Sequence, residues 1–200
     1  MGQQPCLWKD FNLKLVAART DEDDQPLYSL DLEHLLQVLS LKRFQCLQSL
    51  QVKAETVMGL WDRLLVDCAN LLHNVRDKHP TIKKLSLQIG VDGSEDKIAE
   101  LAEKLVMFHE VDLAKCEFGI LPIEDSKRVA FLKALLTASA RPTSKLKILT
   151  ICDVDKNLAL EFGFKPLKET CSEALDEAKG RVKVNVVDLI YSDDSSDDDK

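Results

Sequence analysis

The side chains of this chain that could do covalent or metal chemistry stand far apart. Cys6, Cys46, Cys68, Cys116, Cys152 and Cys171 include no Cys-x-x-Cys pair, so neither a zinc site nor a dithiol redox motif has its local spacing. They read as reduced core thiols, since unpaired cysteine is among the most buried residue types. His73 and His79 are too far apart for a helical metal pair, and Pro80 follows the second directly. No histidine has a cysteine, serine or carboxylate at the spacing of a recognisable nucleophile and base. The stretch "GVDGSED" at residues 90–96 has two glycines but neither a dinucleotide fingerprint nor the Lys-Ser/Thr of a phosphate loop. No catalytic residue, metal or cofactor is therefore assigned, and the chain is expected not to be an enzyme.

What remains to be positioned is a surface, and bulk properties limit its partners. The 200 residues suffice for one sizeable core, and 45% apolar content lies in the globular range. A formal net charge of −7 disfavours phosphate backbones and anionic lipid. No apolar run approaches the roughly 20 residues that span a bilayer, and Trp8, Lys9 and Asp10 stand where the apolar stretch of a signal peptide would lie. The expected setting is cytoplasm or nucleus, with protein or peptide as ligand and neither nucleic acid nor membrane as partner.

The elements that carry this surface show a period. The apolar form L-x-x-L-x-L recurs as "WKDFNL" from Trp8, "LQSLQV" from Leu47, "IKKLSL" from Ile82, "FHEVDL" from Phe108, "LKILTI" from Leu146 and "VNVVDL" from Val184. The central residues Phe11, Leu50, Leu85, Val111, Leu149 and Val187 are 39, 35, 26, 38 and 38 positions apart, which predicts six strands. Helical stripes fill the gaps: Leu32, Leu35, Leu36 and Leu39; Leu60 to Val75; Ile98, Leu101 and Leu105; Val129, Leu132, Leu135 and Leu136; then Leu167, Cys171, Ala174, Leu175 and Ala178.

Strand and helix in alternation predict a parallel sheet, either covered by helices on both faces or curved and covered on one. Strands buried on both faces are almost continuously apolar. Here Asn12, Lys14, Ser49, Gln51, Lys84, Ser86, Gln88, Glu110 and Asp112 interrupt them. The expectation is an α/β solenoid over residues 1–191, with parallel strands on the concave face and helices on the convex face.

The segment "FHEVDLAKCEF" fits the leucine-rich-repeat pattern L-x-x-L-x-L-x-x-N/C-x-L through Cys116 and Phe118. With such long helices the chain resembles ribonuclease-inhibitor-like repeats, which implies that Cys116 caps the turn leaving its strand. Gly90 and Val154 depart from the motif at the matching positions. The opening "PCLWKDFNLKLV" at residues 5–16 resembles the exit of an F-box leading into a first repeat strand. Proteins of that type dock their F-box on the Skp adaptor of a cullin-RING ubiquitin ligase and hold substrate on the repeats. The helical segment expected upstream is missing from this chain, so the resemblance implies the substrate-binding part of such a receptor, or a shortened form.

The register places Lys84, Ser86, Gln88, Glu110, Asp112, Ile148, Thr150, Cys152, Val186, Asp188 and Ile190 on the concave face as the protein-binding set. Ile148, Cys152, Val186 and Ile190 would form an apolar patch beside Glu110 and Asp112, suited to a ligand with an apolar anchor and basic flanks. The tail "YSDDSSDDDK" is acidic and of low complexity, and residues 192–200 are expected to be disordered. Ser195 and Ser196 each have Asp three residues on, as acidophilic kinases prefer. With "VDLI" before it, the tail also resembles a SUMO-interacting motif. The alternative function is thus a nuclear interaction protein whose tail engages basic proteins or SUMO, independent of ubiquitin ligase.

Overall fold

The computed structural model describes residues 9–16, 41, 44, 46–55, 61–91, 94–116, 122–153 and 165–188. Six strands form one sheet: β1 (Asp10–Val16), β2 (Ser49–Glu55), β3 (Lys84–Gln88), β4 (Glu110–Leu113), β5 (Ile148–Asp153) and β6 (Lys183–Asp188). Each pairs parallel with the next, in the order β1-β2-β3-β4-β5-β6. The described helices are α1 (Trp61–Lys78), α2 (Glu95–Leu105), α3 (Pro122–Ser139), α4 (Leu167–Thr170) and α5 (Ser172–Ala178). The protein is therefore α/β, and strand order follows chain order without reversal. Parallel crossovers are right-handed, so an order that never reverses leaves successive helices on the same side of the sheet.

The L-x-x-L step at each strand start has a backbone cause. The carbonyl of Gln48 accepts hydrogen bonds from the N–H groups of both Lys83 and Lys84, at 2.9 and 3.0 Å. Lys9 does the same for Gln48 and Ser49, Lys83 for His109 and Glu110, and His109 for Lys147 and Ile148. Two consecutive donors on one acceptor bend the chain, so Leu47, Ile82, Phe108 and Leu146 point inward three residues before the next inward side chain. All four are buried.

Beyond that step the strands alternate. Leu50 and Val52, Leu85 and Leu87, Val111 and Leu113, and Leu149 and Ile151 enter a core shared with Leu65, Leu72, Leu101, Leu105, Phe131 and Leu135 from the helices. α1 packs on α2, α2 on α3 and α3 on α5. The side chains between these strand residues are half-buried or exposed, apart from Cys152. Replacing a fully buried leucine such as Leu85 by alanine would leave a cavity worth about 2–5 kcal/mol.

Helix ends follow the charge rule for the macrodipole. Glu95 and Asp96 occupy the first turn of α2 and Lys104 its last, while Arg76 and Lys78 close α1. Pro122 takes the first position of α3, where its missing N–H costs nothing. Gly180, at φ 79°, follows α5 in the left-handed region that few other residues adopt, and lets the chain turn back into β6.

Three expectations meet corrections or limits here. The stripe at Leu32, Leu35, Leu36 and Leu39 lies outside the described residues. The single helix expected from Leu167 to Ala178 is two short ones, interrupted at Cys171, whose φ is −118°. The reading of reduced thiols agrees with Cys68, Cys116, Cys152 and Cys171, which are free and buried, but Cys46 is disulfide-bonded to a partner outside the described residues. Local spacing carries no sign of a bridge between distant positions.

The strand end of β5 is tied to the preceding helix by a buried ion pair. Arg128 Nη1 of α3 lies 3.6 Å from Asp153 Oδ1. Arg128 also donates to the Lys165 carbonyl at 3.2 Å, and the Leu167 N–H at the start of α4 donates to the Asp153 carboxylate at 3.1 Å. Among the described residues, no helix is long and apolar enough to cross a membrane.

Candidate functional site

Opposite the helix-covered side, the sheet presents three rows of side chains fixed by the strand register. The first runs Asp10, Ser49, Lys84, Glu110, Ile148 and Lys183. The second runs Asn12, Gln51, Ser86, Asp112, Thr150 and Asn185. The third holds Lys53 and Gln88 at one end and Cys152 and Val187 at the other. Asp112 is the one charged member of the middle row; the other five carry neutral amide or hydroxyl groups. Such groups can donate and accept at once, which fits the backbone of a polypeptide.

Several of these side chains are already oriented. Lys84 Nζ bonds Glu110 Oε1 at 2.7 Å. This hydrogen bond holds the ammonium above its ordinary range, against a smaller effect of burial, and the charges of Glu110, Asp112 and Asp10 add to it. Asp112 Oδ1 accepts the N–H of Ala114 at 3.0 Å, bracing the turn after β4. Asn185 Nδ2 reaches Thr150 Oγ1 at 3.5 Å.

Of the predicted surface set, Lys84, Ser86, Gln88, Glu110, Asp112, Ile148 and Thr150 share this open face. Cys152 has the same register but is buried, its thiol donating to the Asp153 carbonyl at 3.4 Å. Val186 is a correction, since it packs with Val184 against the core. Asp188, the last residue of β6, pairs with Asp153 of β5. Ile190, Ser195 and Ser196 lie outside the described residues, as does the acidic tail.

The physical reason is a three-residue register difference, and any odd shift turns every side chain of a strand to the other face. Leu149 pairs with Val184, 35 residues on, so the central residue of the sixth strand is Val184 rather than Val187. The open face therefore gains Lys183, Asn185 and Val187, which the predicted set lacked. The expected apolar patch shrinks to half-buried Ile148 and exposed Val187, separated by the polar pair of Thr150 and Asn185. The sequence did contain the signal, because "VKVNV" from Val182 alternates as well as "VNVVDL" does.

Cys116 behaves as a structural cap. Its buried Sγ donates to the Leu87 carbonyl of β3 at 3.4 Å, and its N–H donates to Leu113. Cys68 of α1 lies close by, and burial pushes its thiol up to about 12, with the charge of Asp67 and then Cys116 contributing. A thiol so hard to ionise is a poor nucleophile and metal ligand. Among the described residues, no group of three or more His, Cys, Asp or Glu side chains is placed to hold a metal ion.

Compared with known proteins, the chain matches no family model and no curated sequence.

Proposed function

We propose that the chain is a leucine-rich-repeat-like α/β solenoid that recognises protein or peptide on its open sheet face. The observation that carries this reading is the middle row of hydrogen-bonding side chains from Asn12 to Asn185, on a face that no described helix covers. The unreversed strand order, the repeated bend at each strand start and the Cys116 cap on Leu87 support the repeat character. On the resemblance of residues 5–16, the biological role is substrate binding for an F-box-type ubiquitin ligase, as part of a receptor or a shortened form. The reading assigns the chain no reaction.

The test is affinity capture with wild type beside a Ser86→Arg, Thr150→Arg variant, matched for folding by circular dichroism. Both positions flank Asp112 on the open face. Proteins lost only from the variant would support recognition there, and ubiquitin-ligase subunits among the retained proteins would support the receptor role. Identical partner sets would overturn the open-face assignment.

A further inference from the structure

Parallel strands and unreversed connections have an electrostatic result at the edge of the sheet where strands begin. The described helices between strands run back toward that edge, so their C-terminal ends, which favour cations, collect along it. α1 ends there with Arg76, and the chain reaches β3 through Lys83, β4 through His109 and β5 through Lys145 and Lys147. The shared-carbonyl bonds set Lys83, His109 and Lys147 on adjacent strands, at the common strand spacing of about 5 Å.

The nearby carboxylates are engaged elsewhere. Glu110 is held by Lys84, Glu103 by Arg141 and Asp77 by His73. Among the described residues no carboxylate forms an ion pair with Lys83, Lys145 or Lys147, and all three are exposed. Arg76 donates through Nη1 to the Pro80 and Ile82 carbonyls, and no carboxylate among the described residues forms an ion pair with it. A chain of net charge −7 thus carries a row of unbalanced cations on one rim.

We propose that this strand-start rim, formed by Arg76, Lys83, His109, Lys145 and Lys147, is a docking surface for an acidic polypeptide segment. It lies beside the open face and does not depend on it. Single-stranded nucleic acid, the other polyanion of similar width, is held largely by aromatic stacking. The described rim presents no exposed Phe, Tyr or Trp ring, since Phe108 is fully buried. The overall negative charge also repels a long polyanion while sparing a short acidic segment.

His109 gives the surface a pH signature. It is faced by Arg76 from α1, by Lys83 before β3 and by Lys145 and Lys147 before β5, and partial burial together with these cations lowers its pKa. Bound carboxylates reverse the sign of that surrounding field, so docking favours the protonated ring. Affinity should rise as pH falls from 7.5 to 6.

The experiment is fluorescence anisotropy with a labelled 12-residue alternating Asp-Glu peptide and, in parallel, a labelled 12-nucleotide oligouridine. Wild type is compared with Lys83→Glu, Lys147→Glu and with a charge-matched control, Lys133→Glu, Lys168→Glu, on exposed helix positions. The expected result is peptide binding that weakens by roughly tenfold or more in the rim variant, survives in the control and weakens with salt. Loss of the pH rise in His109→Gln is expected with it. No binding by wild type, equal loss in the control, or tighter binding of the oligouridine would each overturn the proposal.

Discussion

Asp153→Ala should be among the most damaging single substitutions in this protein, because it takes a carboxylate away from both a buried guanidinium and a buried backbone N–H. Arg128 is 4% exposed and Asp153 7%. The change removes the 3.6 Å ion pair and strands the Leu167 N–H that the carboxylate accepts. Breaking a buried pair from one side costs about 3–5 kcal/mol. Against a total stability of about 5–15 kcal/mol this is a large share. For a domain of this size it corresponds to a melting temperature lower by about 6–20 °C. Replacing both partners together, in Arg128→Met, Asp153→Leu, removes both charges and should cost much less than the sum of the single substitutions. Urea denaturation of wild type, Arg128→Met, Asp153→Leu and the double variant closes the cycle. Additive losses, or a single-variant loss below about 1 kcal/mol, would refute the assignment of this pair as a coupled buried lock.

Cys116→Ala should lower stability by about 1–3 kcal/mol, since it removes both the thiol hydrogen bond to Leu87 and buried volume, and chemical denaturation would measure it. His79 is buried with no hydrogen-bond partner for Nε2 among the described residues, and burial, then the charge of Lys78, lowers its pKa below the usual 6.5. The unfolded chain therefore takes the proton first. Its contribution is constant well above pH 6.5 and is lost as pH falls through 6.5 toward the lower folded-state value. Thermal melts between pH 7.5 and 5 should show that loss, and His79→Leu should flatten it.

The alternation of strands and helices was legible in the sequence because each element must bury one face, and burial imposes a period along the chain. Five strands could be placed in register for the same reason. The bend before β2, β3, β4 and β5 repeats as two apolar residues three positions apart, with two polar residues between them in the first three cases and Lys147 and Ile148 in the fourth. The sixth strand could not be placed this way, because the adjacent Val186 and Val187 let two phases alternate equally well. Pairing with β5 and packing of Val184 and Val186 against the core chose between them.

Cys116 was identified from its motif, while the thiol's acceptor, the Leu87 carbonyl 29 residues away, required the folded sheet. The disulfide at Cys46, the burial of Cys152 and the pairing of Arg128 with Asp153 depend on residues distant in sequence, so no local pattern marks them. The strand-start rim is of the same kind. Each cation sits just before its own strand or in the last turn of its own helix, and only the parallel pairing of the strands puts like charges side by side. Sequence by itself determined which residues face inward in the first five strands, because that is a local consequence of hydrophobic periodicity. Tertiary structure decided which outward residues become neighbours, because strand pairing joins positions 26 to 39 residues apart.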